Sequence, residues 1–366
     1  MAQRLLAMLR PASLATPADS CRFHHRGHRG HPITMIQRLI RPVVWAVLAL
    51  VYVIAVLWTA GALFFDLPFP SLRTLSAIVW LSGALILPIL WRRHRRGLVI
   101  VIVGFAVILM WWLTIKPTNN QTWQPDVAHT AWAKINGDQV TVHDVRNCEY
   151  RTEDDFTPRW DTRTVRLSQI TGMDLAITYW GSPWMAHPIV SFRFADALPL
   201  CFSIETRKSA GQQYSALRGL YRQYTLIYVV ADERDSIRVR SNYRTGEDVY
   251  LYRTLASSAE ARARFLEYIQ TINRLRDHPR SYNAVTTNCT TSIRTQRPRN
   301  ERAPWDWRIL LNGKGDELLY ERHLIATGGL SFSELKQRSW INKLARAADQ
   351  DPDFSRLIRA NLPQTD

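Results

Sequence analysis

The stretch SYNAVTTNCTTSIRTQ, residues 281–296, sets Cys289 among small polar residues with no second cysteine close enough for a metal knuckle. TTN before it supplies helix-capping side chains, and TTSIRT after it can form the first turns of a helix. A thiol placed there faces unpaired backbone amides and the positive end of the helix dipole, a setting that favours the thiolate. The same amides suit an oxyanion, so the pattern reads as a nucleophile for acyl chemistry. Against it stand two other readings, an ordinary buried thiol and one half of a disulfide.

A cysteine nucleophile needs a base within hydrogen-bond reach. Five of the ten histidines, His129, His143, His187, His278 and His323, fall in the C-terminal two thirds of the chain. His187 stands at the start of HPIVSFRF (187–194), where a rigid strand can aim it into a cleft. On the next strand, LCFSIETR (200–207), Cys201, Ser203 and Glu205 share one face by period-2 alternation. Glu205 or a polar neighbour can therefore orient the imidazole, the third role of a triad. No pair of cysteines has the close spacing that zinc sites use, so neither a metal nor another cofactor is expected.

The elements that must position these residues follow from patterning. QVTVHDVRNCEYR (139–151) opens as a strand, and DLAITYWG (174–181), the 187–194 and 200–207 pair joined by ADALP, QYTLIYVVADERD (223–235) and DSIRVRSNY (235–243) supply further candidates. A helix is predicted over 258–277: Ser257 and Glu260 have capping-box spacing. Phe265, Ile269, Ile272 and Leu275 form its apolar face, and Pro279 ends it. Strands followed by helices predict an α+β domain over 131–366, with 116–130 as a linker.

Ahead of it lie three uncharged apolar stretches, 42–65, 75–91 and 98–115. A bilayer-crossing helix needs about 17–25 residues, so all three are expected to span, with Trp111 and Trp112 as interfacial anchors. A net charge of +16 raises the question of nucleic acid, but much of the surplus flanks these spans. Residues 1–42 hold seven arginines against Asp19 alone, and WRRHRRG (91–97) adds four more. Arginine-rich short loops stay cytoplasmic. The basic tail 1–41, expected to be disordered, therefore starts inside, the domain lies across the membrane, and no nucleic-acid partner is expected. Met35 is a plausible alternative start. Among the cysteines, Cys21 falls in the tail, leaving Cys148, Cys201 and Cys289 in an oxidising compartment, an odd number. A Cys148–Cys201 bridge and two buried free thiols both remain open.

VHDVRNCEYR, AHPIVSFRF, CFSIETRK, YTLIYVVADERDSIRVRSNYR and YNAVTTNCTT, in that order, resemble the DUF4105 family, also called the Lnb N-terminal periplasmic domain, over roughly residues 130–325. The resemblance implies a permuted NlpC/P60-type, papain-like fold in which the histidine precedes the cysteine. It assigns Cys289 as nucleophile and His187 as base; Glu205 as orienting acid comes from the strand alternation. It also implies a bacterial inner-membrane protein with a periplasmic domain that acts as a thiol acyltransferase on membrane lipid or lipoprotein. Lnb enzymes carry their membrane helices after the domain, whereas here they precede it. The alternatives are a cell-wall amidase or peptidase using the same dyad, and a non-catalytic envelope anchor with Cys289 merely buried. Arg193, Arg207, Arg240 and Arg244 are candidates for meeting anionic head groups.

Overall fold

The computed structural model describes residues 32–91, 95–296, 302 and 304–364. Most of the basic tail, Cys21 and the centre of the arginine loop (92–94) lie outside the described residues. The chain divides into two compact units, residues 1–54 and 55–366. The described part of the first is the leading portion of helix α1 (Pro32–Asp66), whose apolar side chains, such as Val43, Trp45, Leu48 and Val51, are exposed.

Within the second unit, the end of α1 meets α2 (Pro70–Leu90) and α3 (Arg96–Thr114). Ile40–Asp66, α2 and α3 are each long and apolar enough to cross a membrane. Their exposed leucines, valines and isoleucines are what a helix surrounded by lipid should show. Trp80 donates from Nε1 to the Val56 carbonyl (3.0 Å), and Trp58 packs edge-on to Phe105 and Trp112.

A mixed α+β domain follows. Its strands are β1 (Trp132–Asn136), β2 (Gln139–Arg146), β3 (Glu149–Tyr150), β4 (Phe156–Thr157), β5 (Trp160–Arg166), β6 (Ile170–Trp180), β7 (Ala186–Phe194), β8 (Leu200–Arg207), β9 (Thr225–Asp232) and β10 (Glu247–Arg253). An eight-stranded sheet runs β1-β2-β9-β8-β7-β6-β10, with β5 also paired to β2; β3 and β4 pair separately. All pairings are antiparallel except β2 with β9, which meet in parallel at Arg146 and Ala231. The residues at 119–128 lie against the domain: Arg207 stacks on Trp123 and donates to the Val127 and Ala128 carbonyls and to Asn119.

The helices are α4 (Glu233–Ser236), α5 (Ser258–Asp277), α6 (Cys289–Thr295), α7 (Gly315–Glu321), α8 (Phe332–Ser339), α9 (Asn342–Ala347) and α10 (Phe354–Leu357). Helix α5 occupies the range that the sequence predicts, with the Ser257–Glu260 capping box formed. Its buried face supplies Phe265, Ile269, Ile272 and Leu275 to the largest core cluster. Phe265 meets Phe192, Phe194 and Phe202 edge-on at 5.2–5.8 Å. Phe265→Ala is expected to cost about 3–5 kcal/mol, read as a lowered melting temperature of the detergent-solubilised chain.

One expected strand is absent. Residues 235–243 form the end of α4 and then a wide helical turn, Val239–Tyr243, closed by the Arg244 amide on the Val239 carbonyl. Asp232 caps α4 by accepting from the Arg234 amide, which stops β9. Alternating Ile, Arg and Val looked like one wet and one dry face, but Ile237, Arg238, Val239 and Arg240 are all buried. Buried ion pairs and carbonyl contacts hold the arginines, so the period-2 signal was accidental.

Candidate functional site

Asn288 is the cap that starts α6: its side chain accepts from the Thr291 amide (2.9 Å), and the Thr291 hydroxyl accepts from the Asn288 amide (2.9 Å). This reciprocal box delivers Cys289 as the first helical residue, half-buried and a free thiol. Cys148 and Cys201 are also free and both buried. Burial and the Asp235 carboxylate push the Cys148 thiol up to about 11, and burial raises Cys201 further.

His187 lies near the start of β7 and Glu205 near the end of the neighbouring antiparallel strand β8, so the two come together at one end of the sheet. His187 Nε2 is 2.7 Å from Ser203 Oγ and 3.1 Å from Glu205 Oε1, and the Ser203 hydroxyl donates to the same carboxylate oxygen (2.6 Å). Cys289 lines the same cavity as His187 and Glu205, and a hydrogen bond to its side chain helps hold the imidazole proton. The structure therefore gathers Cys289, His187 and Glu205 in one place.

Arg240, on the wide turn that replaced the expected strand, donates to Glu205 Oε1 (3.0 Å) and to Glu247 Oε2 (3.2 Å). Glu205 consequently has two cationic neighbours. Burial works against its charge, but His187 and Arg240 hold the carboxyl well below the usual range. For His187, burial and Arg240 disfavour the cation. The Glu205 carboxylate and the hydrogen bonds to Cys289 and Glu205 outweigh them and raise the imidazole to about 9. At neutral pH His187 is thus the charged imidazolium.

Asn312 completes the group. Its Oδ1 accepts from the Ala186 amide (2.9 Å), which fixes the amide orientation and turns Nδ2 toward Thr290 Oγ1 (2.8 Å) and Cys289 Sγ (3.5 Å). Gly313 makes this approach possible, since a Cβ there would run into the backbone of Pro183 and Trp184. Sequence reasoning named Arg240 for anionic head groups and not as a partner of Glu205, and it missed Asn312. The first sat in a stretch read as a strand, and the second lies downstream of Cys289 with no capping or periodic pattern to mark it.

These residues open into a cavity of about 750 Å³, whose wall includes Leu217, Leu220, Val285, Met185, Leu310 and Leu311 alongside the polar groups. Arg240 and Arg244 line it, and Arg244 pairs with Glu153 and Glu247. Arg193, paired with Asp174, and Arg207, stacked on Trp123, are not among its lining residues. Each of the four arginines considered for head groups is thus already engaged within the protein. Among the described residues, no group of three or more His, Cys, Asp or Glu could hold a metal ion.

Residues 156–313 match the family model of the Lnb N-terminal periplasmic domain, a span that contains His187, Glu205, Cys289 and Asn312. No curated protein and no solved structure shows significant similarity to the chain.

Proposed function

With an Lnb N-terminal periplasmic domain at residues 156–313 behind three membrane-type helices as the premise, we propose that the chain is a membrane-anchored thiol acyltransferase of the bacterial inner membrane, its catalytic domain in the periplasm. The observation that carries the reading is that Cys289 and a Glu205-bound His187 line one cavity with an apolar wall. The nucleophile is the thiolate, so the reacting form of the dyad is the Cys289 thiolate beside the His187 imidazolium.

The thiolate attacks the carbonyl carbon of a phospholipid ester. As the tetrahedral intermediate collapses, the C–O ester bond breaks and the leaving alkoxide takes the His187 proton, leaving lysolipid and a Cys289 thioester. An amine then attacks the thioester; neutral His187 accepts its proton, and the amide departs with the Cys289–His187 ion pair restored. Membrane lipid is the donor, and a lipoprotein or another envelope amine is the acceptor. The arrangement, a cysteine at a helix start beside a strand-borne histidine from earlier in the chain, fits a permuted papain-like fold of NlpC/P60 type. The apolar wall favours a lipid over a cell-wall peptide.

The test is mass spectrometry of the full chain reconstituted in phospholipid vesicles. A fatty-acyl group on the Cys289 peptide, removed by hydroxylamine and absent from Cys289→Ala, is expected. Peptidoglycan stem-peptide cleavage with no acyl adduct would replace the reading with an amidase. Neither activity, together with an unreactive thiol, would leave an envelope anchor. Asn312 Nδ2, aimed at the sulfur, is placed to donate to the oxyanion. Asn312→Ala is expected to slow acylation about 10²–10³-fold in single-turnover kinetics, with a lowered melting temperature from the orphaned Ala186 amide.

A further inference from the structure

The cavity's apolar lip is continuous with the surface on which the domain rests against its own membrane helices. Gln223 Nε2 donates to the Phe65 carbonyl (2.9 Å) and to Asp66 Oδ1 (2.7 Å), the Arg222 amide donates to Asp66 Oδ2, and the Arg222 guanidinium lies 4.1 Å over the Trp112 ring. Tyr221 packs on Phe65 at 5.0 Å and on Trp58 at 6.5 Å, and it lies so close over Gly61 that a Cβ there would strike its hydroxyl. Gly61 is five residues before the end of α1, about 7 Å down the helix at ~1.5 Å per residue. Tyr221 therefore reaches into the level of the span.

The segment immediately before it carries Leu217 and Leu220 of the cavity wall. The loop bearing Val285 is tied alongside, the Ala284 amide donating to the Gly219 carbonyl (2.8 Å) and Asn283 Nδ2 to that of Leu220 (3.2 Å). Trp184 and Trp307, 6.4 Å apart, flank the lining residues Met185 and Leu310, the Leu310 amide donating to the Trp307 carbonyl (2.9 Å). This rim is open to its surroundings: Leu217 is 57 % exposed, Val285 51 %, Trp184 49 % and Trp307 51 %. Every one of these segments is at the end of the sheet where β6 stops and β7 and β9 start. Such a patch of leucine, valine and tryptophan is costly in water, and tryptophans are favoured at the membrane interface.

We propose that this rim is immersed in the outer leaflet of the bilayer that the three helices cross, so that the mouth of the Cys289 cavity opens into lipid and the acyl donor enters laterally. Occupancy by lipid follows from continuity: Tyr221 to Gln223 are already held against the outer ends of α1 and α3, one to six residues from the cavity wall. The placement does not depend on the thiol chemistry and is measurable in a chain that lacks the nucleophile.

The experiment is nitroxide accessibility of the full chain in phospholipid vesicles, in a Cys21→Ser, Cys289→Ser background where buried Cys148 and Cys201 resist labelling. Labels go on Leu217→Cys, Val285→Cys and Leu310→Cys, with Leu198→Cys as reference. Leu198 is on the β7–β8 hairpin at the far end of the sheet, and is 54 % exposed; β7 spans about 30 Å at ~3.3 Å per residue. The oxygen-to-nickel-chelate accessibility ratio is expected to be several-fold higher at the rim labels than at Leu198. Rim labels matching Leu198 would overturn the proposal, and so would rim labels shielded from both reagents, which would mean a protein partner covers the patch. Loss of lipid acylation alongside a high rim ratio would refute the catalytic reading and leave this one standing.

Discussion

Cys289→Ser is expected to abolish both thiol-probe labelling and acyl transfer, the latter by about 10⁴-fold or more, as removal of a covalent nucleophile does elsewhere. The probe result follows from burial. Cys148 is enclosed beside Asp235, whose carboxylate also accepts from the Cys148 amide (2.7 Å), and Cys201 is sealed between β7 and β9; both thiols are held in the protonated form. Cys289 alone of the three is partly exposed and has an imidazole partner. With Cys21→Ser as the common background, labelling by iodoacetamide should fall to the reagent blank. The severity of a serine replacement comes from the dyad's charge state. Because His187 already holds its proton up to about pH 9, it offers no base to a serine hydroxyl. Retained labelling in Cys289→Ser would mean that a different thiol is the reactive one, and the acyltransferase reading would fail with it.

How far the chain's own letters lead can be judged from particular residues. The three spans, the Ser257–Glu260 box that starts α5 and the Asn288 cap that starts α6 depend on nearest neighbours along the chain, and each stands where the patterns put it. His187 opposite Glu205 needed one further step, strand alternation plus the short ADALP hairpin, and β7 and β8 do bring the two side chains within 3.1 Å. The strands β1, β4, β5 and β10 went unread. Arg240 was read as a surface cation on a strand, yet it is a buried counter-ion on a helical turn. Nothing local could have revealed that, since the carboxylates of Glu205 and Glu247 exist as its partners only after folding. Asn312 is similar: its role rests on a glycine that lets the Asn312–Lys314 turn press against the start of β7. Local capping and alternation were legible, and long-range charge neutralisation was not.

That same charge network sets the second large expectation, for Glu205→Gln. The carboxylate is shared by two buried cations, His187 and Arg240, and deleting one partner of a buried ionic group typically costs about 3–5 kcal/mol because the charge left behind is uncompensated. Here one of the two can escape. Without Glu205, burial and Arg240 both disfavour the imidazolium, so His187 is expected to be neutral at pH 7, and the penalty falls mainly on Arg240, which keeps Glu247. The signs of the pH dependence then differ between the two proteins. In wild type, His187 binds its proton more tightly folded than unfolded. Its contribution, up to about 3 kcal/mol from 1.36 kcal/mol per pK unit, is complete below the unfolded imidazole value near 6.5 and is lost as pH rises through about 9. In Glu205→Gln the unfolded state binds the proton more tightly, so stability contributed by this site should instead rise as pH increases through the unfolded value. Urea denaturation of the two solubilised chains between pH 5 and pH 9 reads this as stability falling above about pH 6.5 in wild type and rising up to about pH 6.5 in the variant. Acylation at neutral pH should drop about 10²–10⁴-fold in the variant, since no imidazolium remains to steady the thiolate or protonate the leaving alcohol. Parallel stability slopes would show that Glu205 does not hold the His187 proton, and would separate a purely structural glutamate from one that tunes the dyad.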